Sequence, residues 1–567
     1  MRTFRHETPL YLLALFIGLL VRLIGLGALP LSDLEAGWAL QALHVAQGTR
    51  VAIGSQPAYV VLTAAIFYMF GGSSNFLARL IPALTGSAMI LVPALFRERL
   101  KPRPAVILAF ALALEPGLTA LSRQAGSAIM VVTFTLAAWG LWKRRMTGWA
   151  GICAGLALLS GSALWPGLLG LGVAWALFRP FADETKPKPR SKSEAARVEA
   201  RREWLTAATC TLGTIVLLGS MFMLVPGGLS AWIAGLPEYI TGWTRNSDIS
   251  ASVMLASLLA YEPLAVLLAL VATVRGWLRG SVRVRQLSLW MLVALLVATL
   301  QTSRQVTDLA WMLIPMWALA ALELGRWLEV SPEERREVLI AAAWCAALLV
   351  FVWFDFLQLR RPGLATEQSV RNIIVLVGSI VLLAVSFVLI AAGWSTRVAM
   401  HGLAWGLAAC LGVYSTGALM AAAGHRNLPN GAELWRPGAQ LPMADLLLRT
   451  IQDQSAWSDK DMNSQPVVIA GIDSPALEWL LRDRPVEVRT AAGAESKPPM
   501  VITPDTQDPV LVTGYRGQSF VWRSKPTWRL FKFAEWLPFH ESTHENETVI
   551  LWVRNDLFPD LKPTTAP

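Results

Sequence analysis

Between residues 9 and 422 the chain repeats one pattern, an apolar run of roughly 15 to 25 residues followed by a short polar or basic loop. At about 1.5 Å per residue, a helix of that length crosses a hydrocarbon core about 30 Å thick. Inside such a core each backbone N–H and C=O must be satisfied within protein, which makes helices the expected form of these runs. They lie near 9–29, 76–96, 104–121, 127–142, 147–161, 163–178, 204–225, 252–274, 286–300, 308–327, 338–357, 371–394 and 398–422. The first follows a basic start, "MRTFRHETP", is too long for the core of a secretion signal and lacks a small-residue cleavage site, so it reads as a retained membrane helix. The expectation is a mainly α, polytopic membrane protein with about thirteen spans. A chain of 567 residues with 54% hydrophobic and 16% charged residues and a mean hydropathy of +0.48 is too apolar for a soluble protein. Its 25 Trp against 7 Tyr suit many helix ends at headgroup level.

One further apolar piece, "PAYVVLTAAIFYMFG" at 57–71, decides the sidedness of everything after it. Read as a shallow or re-entrant helix, it leaves the basic loops on one side: "RERLKPR" at 97–103, "KRR" at 143–145, the flexible or helical loop 179–203 with "KPKPRSKSEAARVEARR", and Arg275, Arg279, Arg283 and Arg285. They share the side of the N-terminus, and the positive-inside rule makes that side the cytoplasm of a multi-pass plasma-membrane protein. The net charge of +10 is then topological; no basic face or reading motif accompanies it, and nucleic acid is not expected as a partner. A transmembrane domain is expected over 1–422, and 423–567, after an odd number of spans, outside the membrane. There the composition turns polar, and short β-type runs such as "PVVIAGI", "PMVIT", "VLVTGY" and "TVILWV" alternate with a helical "DSPALEWLLRD", as in a small extracytoplasmic α/β domain. "AGIDSP" is too poor in glycine for a dinucleotide site, and Asp473 or Ser474 reads as a helix N-cap. Cys153, Cys210, Cys345 and Cys410 all sit in apolar runs, where packing is their expected role. No inverted repeat of the transporter kind is visible.

With this sidedness the outer face, including the first outer loop at 30–75, collects Asp33, Glu35, His44, Gln56, Arg79, Glu115, Arg123, Glu238, Arg245, Asp248, Arg304 and Asp308. Ionisable groups near a helix centre cost about 2.5–3.5 kcal/mol each, so they call for a partner, a snorkelling route or a shared water-filled cavity. Each has a plainer role as well. Ser32-x-x-Glu35 is a capping box that starts a helix. Arg79 can snorkel to bilayer phosphates, Glu115 before Pro116-Gly117 can mark a helix end, Arg304 and Asp308 can pair four residues apart, and His44 can be solvated. No residues have metal-site spacing, so no metal or other cofactor is assigned, although a divalent ion stays open.

Three stretches carry a resemblance: "LSDLEAGWALQALHVAQG", "SQPAYVVLTAAIFYMFGGSSNFLARLIPALTGSAMILVPALFRERL" and "ALEPGLTALSRQAGSAIMVVTFTLAAWGLW". Together they resemble the opening third of GT-C membrane glycosyltransferases, in the branch with protein O-mannosyltransferases and aminoarabinose lipid A transferase. Glu35 matches the glutamate of that group's outer-loop acidic motif, Pro57 its turn proline, Phe70-Gly71 and Arg79-Leu80 the run that follows, and Ser122-Arg123 the third element. Three positions depart from the pattern. Leu34 stands where the group has the motif Asp, "SQPAY" replaces a histidine turn, and Gly126-Ser127 stands where an Asp is usual.

The resemblance implies a GT-C-like fold and transfer, with inversion, of a sugar from a polyprenyl-phosphate donor to a lipid, glycan or protein acceptor outside the membrane. Such chemistry needs a carboxylate to take the acceptor's proton and cations to hold the phosphate. Asp33 or Glu35 is the candidate base; Arg79 and Arg123, with Arg245 or Arg304, are the candidate phosphate ligands. A non-catalytic GT-C-like scaffold of an envelope complex, or a lipid-linked sugar flippase or transporter, would use the same cations without a base.

Overall fold

A computed structural model describes residues 4–49, 51–183, 194–329, 331–359, 366–426, 431–459, 461–491, 497–505, 511, 513–529 and 533–558. Residues 184–193 of the expected basic loop, and the start of "VLVTGY", lie outside these; 194–203 open the helix Glu194–Gly219.

The chain is a multi-pass bundle of helices carrying a small sheet near its C-terminal end. The first four helices are α1 (Phe4–Leu23), α2 (Asp33–Ala46), α3 (Pro57–Phe70) and α4 (Asn75–Ala88). Among the described residues six helices are long and apolar enough to cross a membrane: Asn75–Leu95, Val282–Leu300, Val306–Trp327, Arg335–Leu359, Thr366–Gly393 and Thr396–Ala422. Two bent pairs raise this to eight: Pro102–Leu114 with Pro116–Ser122, bent by 57°, and Ala251–Tyr261 with Pro263–Leu278, bent by 96°. Six to eight of the about thirteen expected spans thus meet the length and hydropathy requirement among the described residues. Two of the apolar runs fold into Ile129–Lys143 and Thr147–Leu158, only 15 and 12 residues long. The run near 204–225 shares a helix whose first turns, from Glu194 to Glu203, are charged.

Both bends occur at a Glu-Pro step. Proline lacks the N–H the preceding turn needs and pushes the residue before it out of the helical region, so a helix ends at Glu115 and another at Glu262. Glu115 then caps the next segment, accepting the N–H groups of Gly117 and Leu118. At 14 residues, about 21 Å, α3 is shorter than the hydrocarbon core. It lies along α2 and is closed by Gly71, whose φ of 65° is left-handed.

Ion pairs tie the basic loops and the N-terminus together at one end of the bundle. Glu7 holds Arg97 at 2.9 Å, Arg145 meets Glu199 at 3.0 Å, Glu334 lies 3.7 Å from Arg397, and Arg275 contacts Glu323. The opposite end carries α2, α3 and the C-terminal sheet. That sheet runs β2-β1-β3-β5-β4, with β1 (Val467–Ala470), β2 (Val486–Arg489), β3 (Met500–Pro504), β4 (Tyr515–Pro526) and β5 (His544–Arg554). The first three are parallel, β1 and β2 being joined through the helix Pro475–Leu480, and β5 and β4 continue the sheet antiparallel. Val549, Leu551 and Val553 turn inward at every second residue of β5.

The sheet end docks on the loop and helix start around 73–75 and on the loop at 242–250. Trp479 Nε1 donates to Asn75 Oδ1 (2.8 Å) and stacks near Phe67, Arg482 donates to Ser73, and Lys525 reaches Asp248. A cleft of about 340 Å³ follows this seam, lined among others by Pro30, Leu31, Asn75, Trp479, Arg482 and Trp522.

Candidate active site at the sheet end of the bundle

A helix leaves its last four carbonyls without intrahelical donors. At the C-terminal end of α1 two of these, and two carbonyls just beyond it, are taken by a side chain about 100 residues further on. Arg123 Nη1 donates to the carbonyls of Val21 (3.1 Å), Arg22 (2.8 Å) and Ile24 (2.7 Å), and Nη2 to that of Gly25 (3.0 Å). Arg22, itself 0% exposed, does the same for the helix Pro102–Leu114, donating to Leu112 and Ala113 carbonyls at 3.0 Å each and to Ser122 Oγ at 3.1 Å. Arg123 thus caps the helix that carries Arg22, while Arg22 caps the helix Pro102–Leu114, and positive charge sits at the negative ends of two helix dipoles.

Beside them Glu35 and Arg79 form a buried, bidentate pair, Nε to Oε1 at 2.7 Å and Nη2 to Oε2 at 2.8 Å. The remaining N–H groups of Arg79 go to the carbonyls of Leu26, Leu29 and Pro30. Glu35 also closes the capping box of α2, accepting Ser32 N–H while Ser32 Oγ accepts its own N–H, and it takes Ala125 N–H at 3.0 Å. Burial pushes the Glu35 carboxyl up, but the Arg79 charge and the bonds from Arg79, Ala125 and Ser32 outweigh it and hold the group below the usual carboxylate range.

Asp33, two residues earlier, faces another way. Its Oδ1 accepts Ser474 Oγ–H (2.6 Å) and Ala476 N–H (3.1 Å), and its Oδ2 accepts Arg523 Nε–H (2.7 Å). It therefore helps cap the helix Pro475–Leu480, whose N-cap is Ser474, and ties α2 to β4.

A third set of groups comes from the segment after the last span. Glu433 accepts the Tyr261 hydroxyl on Oε2 and meets His540 Nδ1 on Oε1 at 2.9 Å, while Leu434 N–H donates to the Tyr261 oxygen at 3.1 Å. Three residues on, Arg436 comes close to Arg79, Glu433, Glu35 and Tyr261. Burial and the neighbouring Arg79 lower its proton affinity. Burial also lowers Arg123, to about 10, with the charges of Arg436, Arg79 and Arg22 adding to it. His425, its Nε2 3.2 Å from the Val21 carbonyl, is lowered by burial and by Arg123 and Arg436.

The sequence candidates thus separate into two places. Glu35, Arg79 and Arg123 lie together at the C-terminal end of α1, with Asp33 at the adjoining seam. Arg245 and Arg304 belong to the loops at 242–250 and 301–305, joined by Ser247 Oγ donating to the Arg304 carbonyl; among the described residues no contact links them to Glu35 or Arg79. Arg304 and Asp308 are not an ion pair among the described residues, since Asp308 caps Gln305 N–H instead and Arg304 turns back to the Gln301 carbonyl. Two departures from the GT-C pattern are in contact: Gln56 Nε2 donates to the Gly126 carbonyl at 2.8 Å, and Gly126, with φ +67°, has no room for a β-carbon beside Trp38. No metal-holding cluster of three or more His, Cys, Asp or Glu occurs among the described residues.

Tyr261, Glu433, Arg436, Arg523 and His540 went unread in the sequence. The last four come from the polar C-terminal region, whose pairing with the membrane part no local pattern announces. The one signal was local, charge and tryptophan packed as "ELWRPG" directly after the final span.

The helical bundle, with its buried polar cluster beside a C-terminal sheet, has a GT-C-like fold. ArnT from Cupriavidus metallidurans bound to undecaprenyl phosphate has the same fold, with a TM-score of 0.54 and 14% identity over 95% of this chain and 97% of that one. The apo state of the same ArnT gives 0.52 and 15% over 96% and 98%. No protein-family model and no curated protein matches the sequence.

Proposed function

We propose that this protein is a membrane glycosyltransferase that takes a sugar from a polyprenyl-phosphate donor and passes it to an acceptor on the outer side of the membrane. The observation that supports it most is the cluster at the end of α1, where four arginines lie together under a C-terminal sheet, in a fold shared over nearly the whole chain with a protein whose structure holds undecaprenyl phosphate. Phosphate held there would have its leaving-group charge offset by guanidinium groups in a site poor in water.

Of the two candidate bases, Asp33 suits the task better. Glu35 has its oxygens engaged by Arg79, Ser32 and Ala125 and is held ionised and weakly basic, whereas a general base works best with a pKa near the operating pH. Asp33 keeps about a quarter of its side chain exposed, at 26%, and its partner Ala476 lines the 340 Å³ cleft, a route by which an acceptor hydroxyl could approach. In this reading Glu35 positions Arg79, and Arg523 must release Asp33 when the acceptor arrives. Orientation follows the same reading: the basic loops cytoplasmic, the sheet and the 30–75 loop outside.

One observation favours the non-catalytic scaffold instead, namely that both acidic residues are engaged by arginine. Turnover decides. Purified protein in nanodiscs, given a radiolabelled undecaprenyl-phosphate sugar and an envelope-lipid extract, is expected to move label to a new product, and Asp33→Asn to slow transfer by about 10²-fold or more. No transfer across the donors tried, with the lipid still bound, would favour the scaffold.

A further inference from the structure

Three of the four clustered arginines already give most of their donors to protein acceptors. Arg22 and Arg123 cap helix carbonyls, and Arg79 is divided between Glu35 and three carbonyls. Arg436 differs. Among the described residues its guanidinium has no hydrogen-bond acceptor, although Arg79 and Glu35 are near neighbours and Arg123 and His425 feel its charge. The side chain is only half-buried and so is not sealed from a ligand.

Its position is also built from both sides. Gly424, at φ +77°, lets the guanidinium lie against its α-carbon, and a β-carbon there would collide with Nη2. Trp435 packs onto Gly117 in the same way, and its carbonyl takes Gln124 Nε2–H at 2.6 Å. Glu433, held by Tyr261 and His540, fixes the backbone three residues before. A long cationic side chain placed this firmly, beside other guanidinium groups and without a carboxylate bonded to it, favours an anion between them. A phosphate monoester or diester supplies several acceptor oxygens to a guanidinium fork.

We propose that Arg436 binds the phosphate of a polyprenyl-phosphate lipid, so that a residue of the C-terminal region completes the site on the membrane bundle. This rests on the donor class proposed above. The location fits a lipid head: Arg436 follows the last span, which ends at Ala422, and lies at the outer end of α1.

The test compares undecaprenyl phosphate with undecaprenol, the same chain without phosphate, as ligands of the full-length protein in nanodiscs. The parent is expected to prefer the phosphate by at least tenfold, Arg436→Gln to lose most of that preference while binding undecaprenol unchanged, and Arg436→Lys to keep part of it. Arg145→Gln, an exposed residue at the other end of the bundle, should bind as the parent does. If Arg436→Gln keeps the full phosphate preference, or loses both ligands equally, the assignment is overturned and the donor class stands. If the parent itself shows no preference for the phosphate, the donor class falls, and the assignment with it.

Discussion

The two ends of the bundle use their charged side chains differently. At the end of the basic loops several pairs stand in solvent: Arg145 and Glu199 are 69% and 65% exposed, Arg103 and Glu329 are similarly open and 3.8 Å apart, although Glu323, against Arg275, is buried. At the other end Glu35 and Arg79 are 10% and 7% exposed, and the arginines there bond to backbone carbonyls as much as to acids. Charge at the first end is largely met by solvent. Charge at the second is structural, since each buried group must be satisfied by a specific partner and loses much when that partner is removed.

The sharpest break in this contrast is Arg79→Ala. It leaves Glu35 buried and unpaired and frees three carbonyls, and it is expected to cost about 3–5 kcal/mol, read as a lower unfolding midpoint of the purified protein. Next comes Glu35→Gln, which keeps the reach to Ser32 N–H but weakens the charged bonds to Arg79, with an expected loss of about 1.5–3 kcal/mol in the same assay. Acid should shrink that gap. The Glu35 carboxyl is lowered in the folded protein, so its contribution is complete above the unfolded carboxyl's value of about 4.3 and is lost as pH falls through the lowered folded value. Parent and Glu35→Gln midpoints are therefore expected to converge below about pH 4; a constant difference down to acid unfolding would mean that the pair adds nothing through its charge. Ser32→Ala, which removes the cap and spares both carboxylates, is expected to cost about 1 kcal/mol. Smallest of all, Arg145→Ala should stay within about 0.5 kcal/mol of the parent. A loss there as large as that of Arg79→Ala would erase the distinction between the two ends.

What was legible in the sequence follows the range of the forces involved. Apolar length gave the helical membrane architecture, Ser32-x-x-Glu35 gave the start of α2, and "AGIDSP" gave Ser474 as an N-cap, because each is decided within a few residues. Where the runs bend was not legible, since the Glu-Pro steps at 115 and 262 turn long runs into bent pairs, and a run of 12 helical residues looks the same in hydropathy as part of a longer one. β2 and most of β4 escaped because "VEVR" is short and exposed and "YRGQSFVWRSKP" is too polar to read as a strand; both are made by their neighbours. In the candidate site the acids and Arg79 could be named, but not that Arg79 would choose Glu35 over a ligand, nor that Asp33 would choose a serine in the last fifth of the chain.

That last contact sets a timetable. Glu35 and Arg79 are 44 residues apart, so at roughly 5–20 residues per second the ribosome delivers the second partner about 2–9 s after the first. Asp33 and Ser474 are 441 apart, and the same rate makes Asp33 wait about 20–90 s, through the insertion of all the later membrane helices. Two carboxylates one residue removed from each other are thus settled at opposite ends of synthesis, and the nascent chain emerges with its first outer loop half finished. Any factor that guards this loop during biogenesis has to let go only once the C-terminal sheet has been made.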